Sequence, residues 1–174
     1  MTSTEPDGNS EAGEDINTST KGQSNSAASL VAELLDGDQR ALARVITKLK
    51  SRSPGYREIV SALHQNRGST HVLGVTGSPG AGKSTLVNAL VAAYRERGET
   101  VGVIAVDPAS PFSGGAVLGD RIRMASAVGD MGVFVRSMSA RGELGGLSRA
   151  TTDVITALDA FGKDRVILET VGAG

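Results

Sequence analysis

Gly77-Ser78-Pro79-Gly80-Ala81-Gly82-Lys83-Ser84 has the spacing G-x-x-x-x-G-K-[ST], and each fixed position serves phosphate chemistry. Glycines let the backbone curl so that successive N–H groups point inward around phosphate oxygens. Lys83 has the reach for β and γ phosphates, and the Ser84 hydroxyl can bind Mg²⁺. A helix starting here would add its positive N-terminal end. A second candidate is Asp107, which closes the apolar run Val101–Val106, where ligands gather in parallel α/β sheets. Taken alone, Asp107-Pro108 reads equally well as a strand-ending turn. Beyond it, Ser113-Gly114-Gly115 leads to Leu118-Gly119-Asp120-Arg121. A glycine-rich loop carrying Asp120 suits a segment that moves with nucleotide state; alternatively, Asp120 begins a helix near its positive end. The third candidate is Val166-Ile167-Leu168-Glu169, an apolar strand ending in an acid. This is a Walker B type element, whose carboxylate holds or orients Mg²⁺ and its waters. Glu169 stands where Asp is commoner, one methylene longer, and Gly172 follows with a backbone N–H suited to a γ-phosphate. Arg121, Arg123 and Arg141 read as exposed charge before they read as phosphate ligands.

These residues need a frame, and the apolar pattern supplies one. From His71 onward, short apolar runs at Val72–Thr76, Val101–Val106, Val133–Val135 and Val166–Leu168 read as strands. Between them, helical spacing is expected over Leu86–Arg97, Leu118–Val128 and the stripe Leu147, Ala150, Val154, Leu158, Phe161. Strands alternating with helices across short loops predict a parallel sheet in a three-layer α/β fold. Residues 69–174 are assigned to this domain. Residues 28–68 are expected to be helical, with one face formed by Leu30, Val31, Leu34 and Leu35, a stop at Gly37, and a second stripe through Ala41, Leu42, Val45, Ile46 and Leu49. Ser53-Pro54 predicts an N-cap and first helical residue ahead of Tyr56, Ile59, Val60 and Leu63. One-sided helices of this kind are expected to pack on the domain that follows.

Residues 1–27 carry Glu5, Asp7, Glu11, Glu14 and Asp15 against Lys21 alone. With so little to bury, they read as a disordered acidic leader. The whole chain, 174 residues with 18 Lys+Arg and 19 Asp+Glu, is near neutral at −1, which argues against an electrostatic grip on nucleic acid or an anionic membrane. Without its leader it loses five acids and one base and becomes net +3. Zero Cys and only His64 and His71 exclude disulfides, zinc thiolate sites and thiol nucleophiles, and disfavour a transition-metal site. No apolar run approaches the ~18 residues of a membrane span, and the acidic start is unlike a signal peptide; the expected location is the cytoplasm. With 23 Gly and five aromatics, the core must be aliphatic.

The runs Gly74–Thr85, Val106-Asp107-Pro108-Ala109-Ser110, Ser113–Met124 and Glu169-Thr170-Val171-Gly172 together resemble the MeaB/ArgK family. Its members are GTPases associated with methylmalonyl-CoA mutase, in the SIMIBI class of P-loop proteins. Gly37-Asp38-Gln39-Arg40-Ala41-Leu42-Ala43-Arg44 is similar to the family's N-terminal helices, so the resemblance covers about residues 28–174. It implies a P-loop NTPase fold, GTP/GDP and Mg²⁺ as ligands, and a chaperone that loads, protects and reactivates an adenosylcobalamin-dependent mutase, usually as a homodimer. Carried over by position, Gly77 through Thr85 become the nucleotide run. Lys83, Asp107, Asp120 and Glu169 become the catalytic set, and Ser84, Asp107, Asp120 and Glu169 the metal set. Family members continue past the Glu-Thr-Val-Gly element with an Asn-Lys-x-Asp motif that reads guanine and a dimerisation segment. This sequence stops at Gly174, has Ala173 where the family usually has Val, and holds no Asn-Lys-x-Asp. It is therefore expected to be an N-terminal fragment, its sheet truncated after the acid-ended strand, binding nucleotide weakly and distinguishing guanine from adenine poorly. The alternatives are an ATPase or kinase acting on a transport protein, a nickel-inserting relative disfavoured by the absence of Cys, and a non-catalytic interaction module.

Overall fold

A computed structural model of the chain describes residues 26–107, 129–139 and 149–170. In chain order the elements are α1 (26–35), α2 (Gln39–Ser51), α3 (Tyr56–Gln65), β1 (His71–Val75), α4 (Lys83–Glu96), β2 (Val101–Asp107), β3 (Val133–Ser139), α5 (Arg149–Ala160) and β4 (Arg165–Thr170). Residues 1–25 of the expected leader 1–27 and the expected helix Leu118–Val128 lie outside the described residues, whereas residues 26 and 27 open α1, with Ala27 buried against the core.

The four strands form one parallel sheet in the order β1-β4-β2-β3. Strand side chains alternate between faces, and the burial pattern follows. Val75, Val101, Val103, Val133 and Ile167 face α4, where Val87 and Val91 cover them. Ile104, Val106, Met138, Val166 and Leu168 face the opposite layer, where Val154, Ala157 and Leu158 of α5 pack. Val166, Ile167 and Leu168 are all buried, as a strand covered on both faces requires. Gly102 lets α5 approach closely: a Cβ there would lie 2.9 Å from Leu158 Cδ1.

The N-terminal helices join the α5 layer. Leu30, Val31 and Leu34 of α1, five apolar residues of α2, and Ile59 and Leu63 of α3 share one core with α5. Gly37 turns the chain at φ +88°, its N–H donating to Leu34 O at 3.0 Å. Asp38 then caps α2, accepting from Arg40 N at 2.7 Å and Ala41 N at 3.4 Å. Two expectations fail here. Leu35 is 40% exposed, because it sits one residue past the packed stripe. The α3 cap is Gly55 at φ +85°, not Ser53. Ser53 O accepts from Tyr56 N at 3.0 Å, so Ser53-Pro54-Gly55 forms a turn and the helix begins after it. Strand β3 also runs on to Ser139, past the expected Val135, because its backbone stays paired with β2 as far as Asp107; the polar Arg136 is accommodated by donating from Nη2 to Thr47 Oγ1 at 3.2 Å.

The helical segment meets the sheet through a buried acid. Asp159 of α5 accepts from Gly68 N at 3.1 Å and Thr70 N at 2.9 Å, and the Thr70 hydroxyl donates to Lys163 O. These bonds fix the entry to β1, and β1 delivers the glycine-rich loop.

Candidate functional site: a phosphate-binding loop beside an acid-ended strand

The loop leaves β1 after Val75 and becomes α4 at Lys83. Gly80 at φ +78° and Gly82 at φ +84° occupy the left-handed region, where a side chain would be strained. Gly82 is the N-cap of α4 and offers no side-chain acceptor, so the helix end presents N–H groups and a positive dipole end to whatever lies in the loop. No acid sits in the first turn of α4. Ser78, Pro79, Gly80, Ala81, Gly82 and Thr85 are exposed, whereas Gly77, Lys83 and Ser84 are half-buried. The Lys83 ammonium folds back over the loop, donating to Gly77 O at 2.7 Å and Ser78 O at 2.8 Å. It is a cation held by neutral carbonyls, which an anionic phosphate would outbid.

Strand order brings the second component in. β4 lies beside β1 with Val75 opposite Glu169, and alternation from Ile167 puts Glu169 on the α4 face. The Ser84 hydroxyl donates to Glu169 Oε1 at 2.7 Å across 85 positions of sequence. Both are hard oxygen donors, a set that fits Mg²⁺ and not a soft metal. The hydroxyl directs its O–H at the carboxylate as a hydrogen-bond donor and keeps its lone pairs for a cation.

Of the other sequence candidates, Asp107 ends β2 at the same end of the sheet, opposite Ser139 and one step beyond the Val106–Thr170 pair. Its side chain, Asp120, Gly172, Arg121, Arg123 and Arg141 lie outside what is described. Among the described residues no three His, Cys, Asp or Glu side chains converge. His64 and His71 are exposed and separate.

A polar cluster at the opposite end of the sheet went unread in the sequence. Arg95 of α4 grips Asp130 through two bonds, Nε to Oδ2 at 2.8 Å and Nη2 to Oδ1 at 3.0 Å. Gly132 N donates to Asp130 Oδ1 at 2.7 Å, and Lys163 Nζ to Gly132 O at 3.1 Å. A Cβ at Gly132 would fall 2.1 Å from the Arg95 guanidinium carbon, so a side chain there would push the guanidinium off Asp130. The bonds from Arg95, then from the Gly132 N–H, hold the Asp130 carboxyl below the usual carboxylate range. Burial pushes the Lys163 ammonium down from its ordinary value. The N–H and hydroxyl of Thr100 lower Asp164 in the same way. Apart from the local Gly132–Asp130 bond, these partners are 31 to 64 residues apart and no local pattern announces them; only the isolated Gly132 between Asp130 and an apolar run hints at a close approach.

The family described as methylmalonyl Co-A mutase-associated GTPase MeaB matches residues 42–174. A relative from Pyrococcus horikoshii, provisionally named a GTPase, is 52% identical over 145 residues, 83% of this chain and 46% of its own length. GTPase ArgK of Escherichia coli is 39% identical over 151 residues, 84% of this chain and 46% of its own length. A fused isobutyryl-CoA mutase of Cupriavidus metallidurans is 43% identical over 143 residues, 79% of this chain but 13% of its own length. A solved structure described as a LAO/AO transport system kinase shares the fold with a TM-score of 0.66 at 31% identity, over 86% of this chain and 44% of that one. The chain thus spans less than half the length of the first two relatives.

Proposed function

Because the chain belongs to the family of the methylmalonyl-CoA mutase-associated GTPase MeaB, we propose that loop 77–84 and Glu169 bind the phosphates of GTP together with Mg²⁺, and that the whole protein hydrolyses GTP to GDP and phosphate in the service of an acyl-CoA mutase. The observation that carries this is the 2.7 Å bond from Ser84 to Glu169 beside a lysine already poised over the loop. In this reading the loop N–H groups and the α4 terminus bind the phosphate chain, with Thr85 and Gly172 adding backbone contacts. Lys83 leaves the Gly77 and Ser78 carbonyls for the β and γ oxygens and offsets charge that develops in transfer to water. Ser84 and Glu169 would hold the metal, with Asp107 and Asp120 completing the acidic set. Bound Mg²⁺ supplies charge neutralisation at the β and γ phosphates.

The mutase rests on the family's description and on the fused relative. We assign the protein a chaperone role in loading adenosylcobalamin into the mutase and in protecting and reactivating that enzyme, acting in the cytoplasm as a homodimer. Among the described residues no helix is long and apolar enough to cross a membrane. A second reading, a kinase acting on a transport protein, has the description of the related solved structure behind it. Incubation with γ-labelled GTP or ATP, with and without a methylmalonyl-CoA or isobutyryl-CoA mutase, separates the two. GTPase chaperoning predicts label released as phosphate, from GTP in preference to ATP, and faster with mutase present. Label transferred to a protein, or release indifferent to the mutase, would count against it.

A further inference from the structure

Helix α2, QRALARVITKLKS, contains no acid along its 13 residues. Arg40, Arg44, Thr47 and Ser51 form its exposed face, with Lys48 half-buried alongside and Arg52 at its C-cap. Cations at 40, 44, 48 and 52 are spaced four apart, so neighbours repel along the helix. Among the described residues, one carboxylate answers them: Glu33 Oε2, 3.3 Å from Arg44 Nη1, with both side chains largely in solvent. The helix dipole accounts for Lys48 near the C-terminal end but not for Arg40, which stands in the first turn where a cation is disfavoured. Arg136 extends the positive face from β3, bonded to Thr47. The stripe lowers helix stability and does not serve the core, whose residues lie on the other side of α2.

We infer that the acidic segment Glu5–Asp15 of this same chain is the occupant of that face. Its five acids, with Lys21 the one base in the first 25 residues, are opposite in sign to the four cations of the stripe and enough to answer each of them. The connection is short enough. α1 doubles back along α2 through the turn at Asp36–Asp38, as the Glu33–Arg44 contact shows, so residue 26 lies toward the C-terminal half of α2. From there to Asp15 is 11 residues, a reach of up to ~36 Å when extended, against ~20 Å for the length of α2. Tethering of this kind corresponds to an effective concentration of about millimolar, which makes weak surface attraction sufficient at low salt. The segment shields α2, and an acidic surface of another protein would have to displace it.

The chain has no cysteine, so a spin label on Ser10→Cys reports the segment alone in the otherwise intact protein. At about 20 mM salt, where screening lengths exceed 20 Å, the amide signals of Arg44, Thr47 and Lys48 should fall at least ~2-fold, with α4 signals unchanged. Broadening should vanish at about 0.5 M salt and in the Arg40→Gln/Arg44→Gln/Lys48→Gln variant, whose exposed substitutions keep helix propensity. Unchanged α4 shifts would verify that this variant folds. No broadening on α2 at low salt, or broadening that survives salt and the triple substitution, would overturn the inference. So would broadening that appears in full when label and isotope are on different molecules, since a second copy would then be the occupant.

Discussion

Lys83 and Ser84 are adjacent in sequence, yet their polar atoms go to different parts of the fold: one back to the loop carbonyls, the other across to β4. The half of the site made by local chain geometry was legible in the sequence. Gly80 and Gly82 are where positive φ is needed, and Lys83 follows at the helix start. The other half was legible only as an acid at the end of an apolar run, because its meeting with Ser84 depends on which strand lies beside β1. The bond gives Glu169 a charge-dependent role that its amide would not reproduce. Glu169→Gln keeps the length and one acceptor but removes the negative charge. Phosphate release should fall by about 10²–10³-fold, with GDP affinity changed by less than ~3-fold, as read by turnover and equilibrium titration. Equal losses in both would make Glu169 a structural support for Ser84.

At the scale of elements, α4 and α5 clamp the sheet from opposite faces, and each leaves a testable mark. Leu158 of α5 is fully buried against Gly102, so Gly102→Ala forces a methyl into a filled space and should destabilise by about 1–3 kcal/mol. In a Leu158→Ala background the same change should cost less than ~0.5 kcal/mol, and denaturant unfolding of the four-member cycle measures that coupling. Helix α4 is anchored at its far end by Asp130, whose folded-state pKa is lowered. A lowered carboxyl contributes stability that is fully present above the unfolded value of about 3.9 and is lost as pH falls through the folded value. The Tm of Asp130→Asn should therefore lie below that of the parent at pH 6, and the gap should close toward pH 3. A gap independent of pH would mean that packing, not charge, holds this corner. The α3 start shows why element boundaries were harder to read than elements. Ser53-Pro54 and Gly55 are competing local signals, and the structure follows the glycine.

At the scale of the molecule, the helical segment is a structural layer of the sheet domain. α1 to α3 share a core with α5, and α2 reaches the β3 edge through Gln39 Nε2 to Met131 O at 2.8 Å and Lys50 Nζ to Ser137 O at 3.3 Å. The parallel α/β class followed from apolar periodicity, but the order β1-β4-β2-β3 did not, since crossovers set it and leave no local trace. That order is what sets Glu169 beside the glycine-rich loop and brings the end of β2 to the same end of the sheet, and the central claim is that this site takes nucleotide phosphates with Mg²⁺. The most direct test is equilibrium titration of the 174-residue chain with fluorescent GTP, with and without Mg²⁺, beside Lys83→Ala. The account predicts that Mg²⁺ strengthens binding to the parent and that Lys83→Ala weakens it by at least about tenfold, or 1.4 kcal/mol. Binding that ignores both the metal and Lys83 would contradict it.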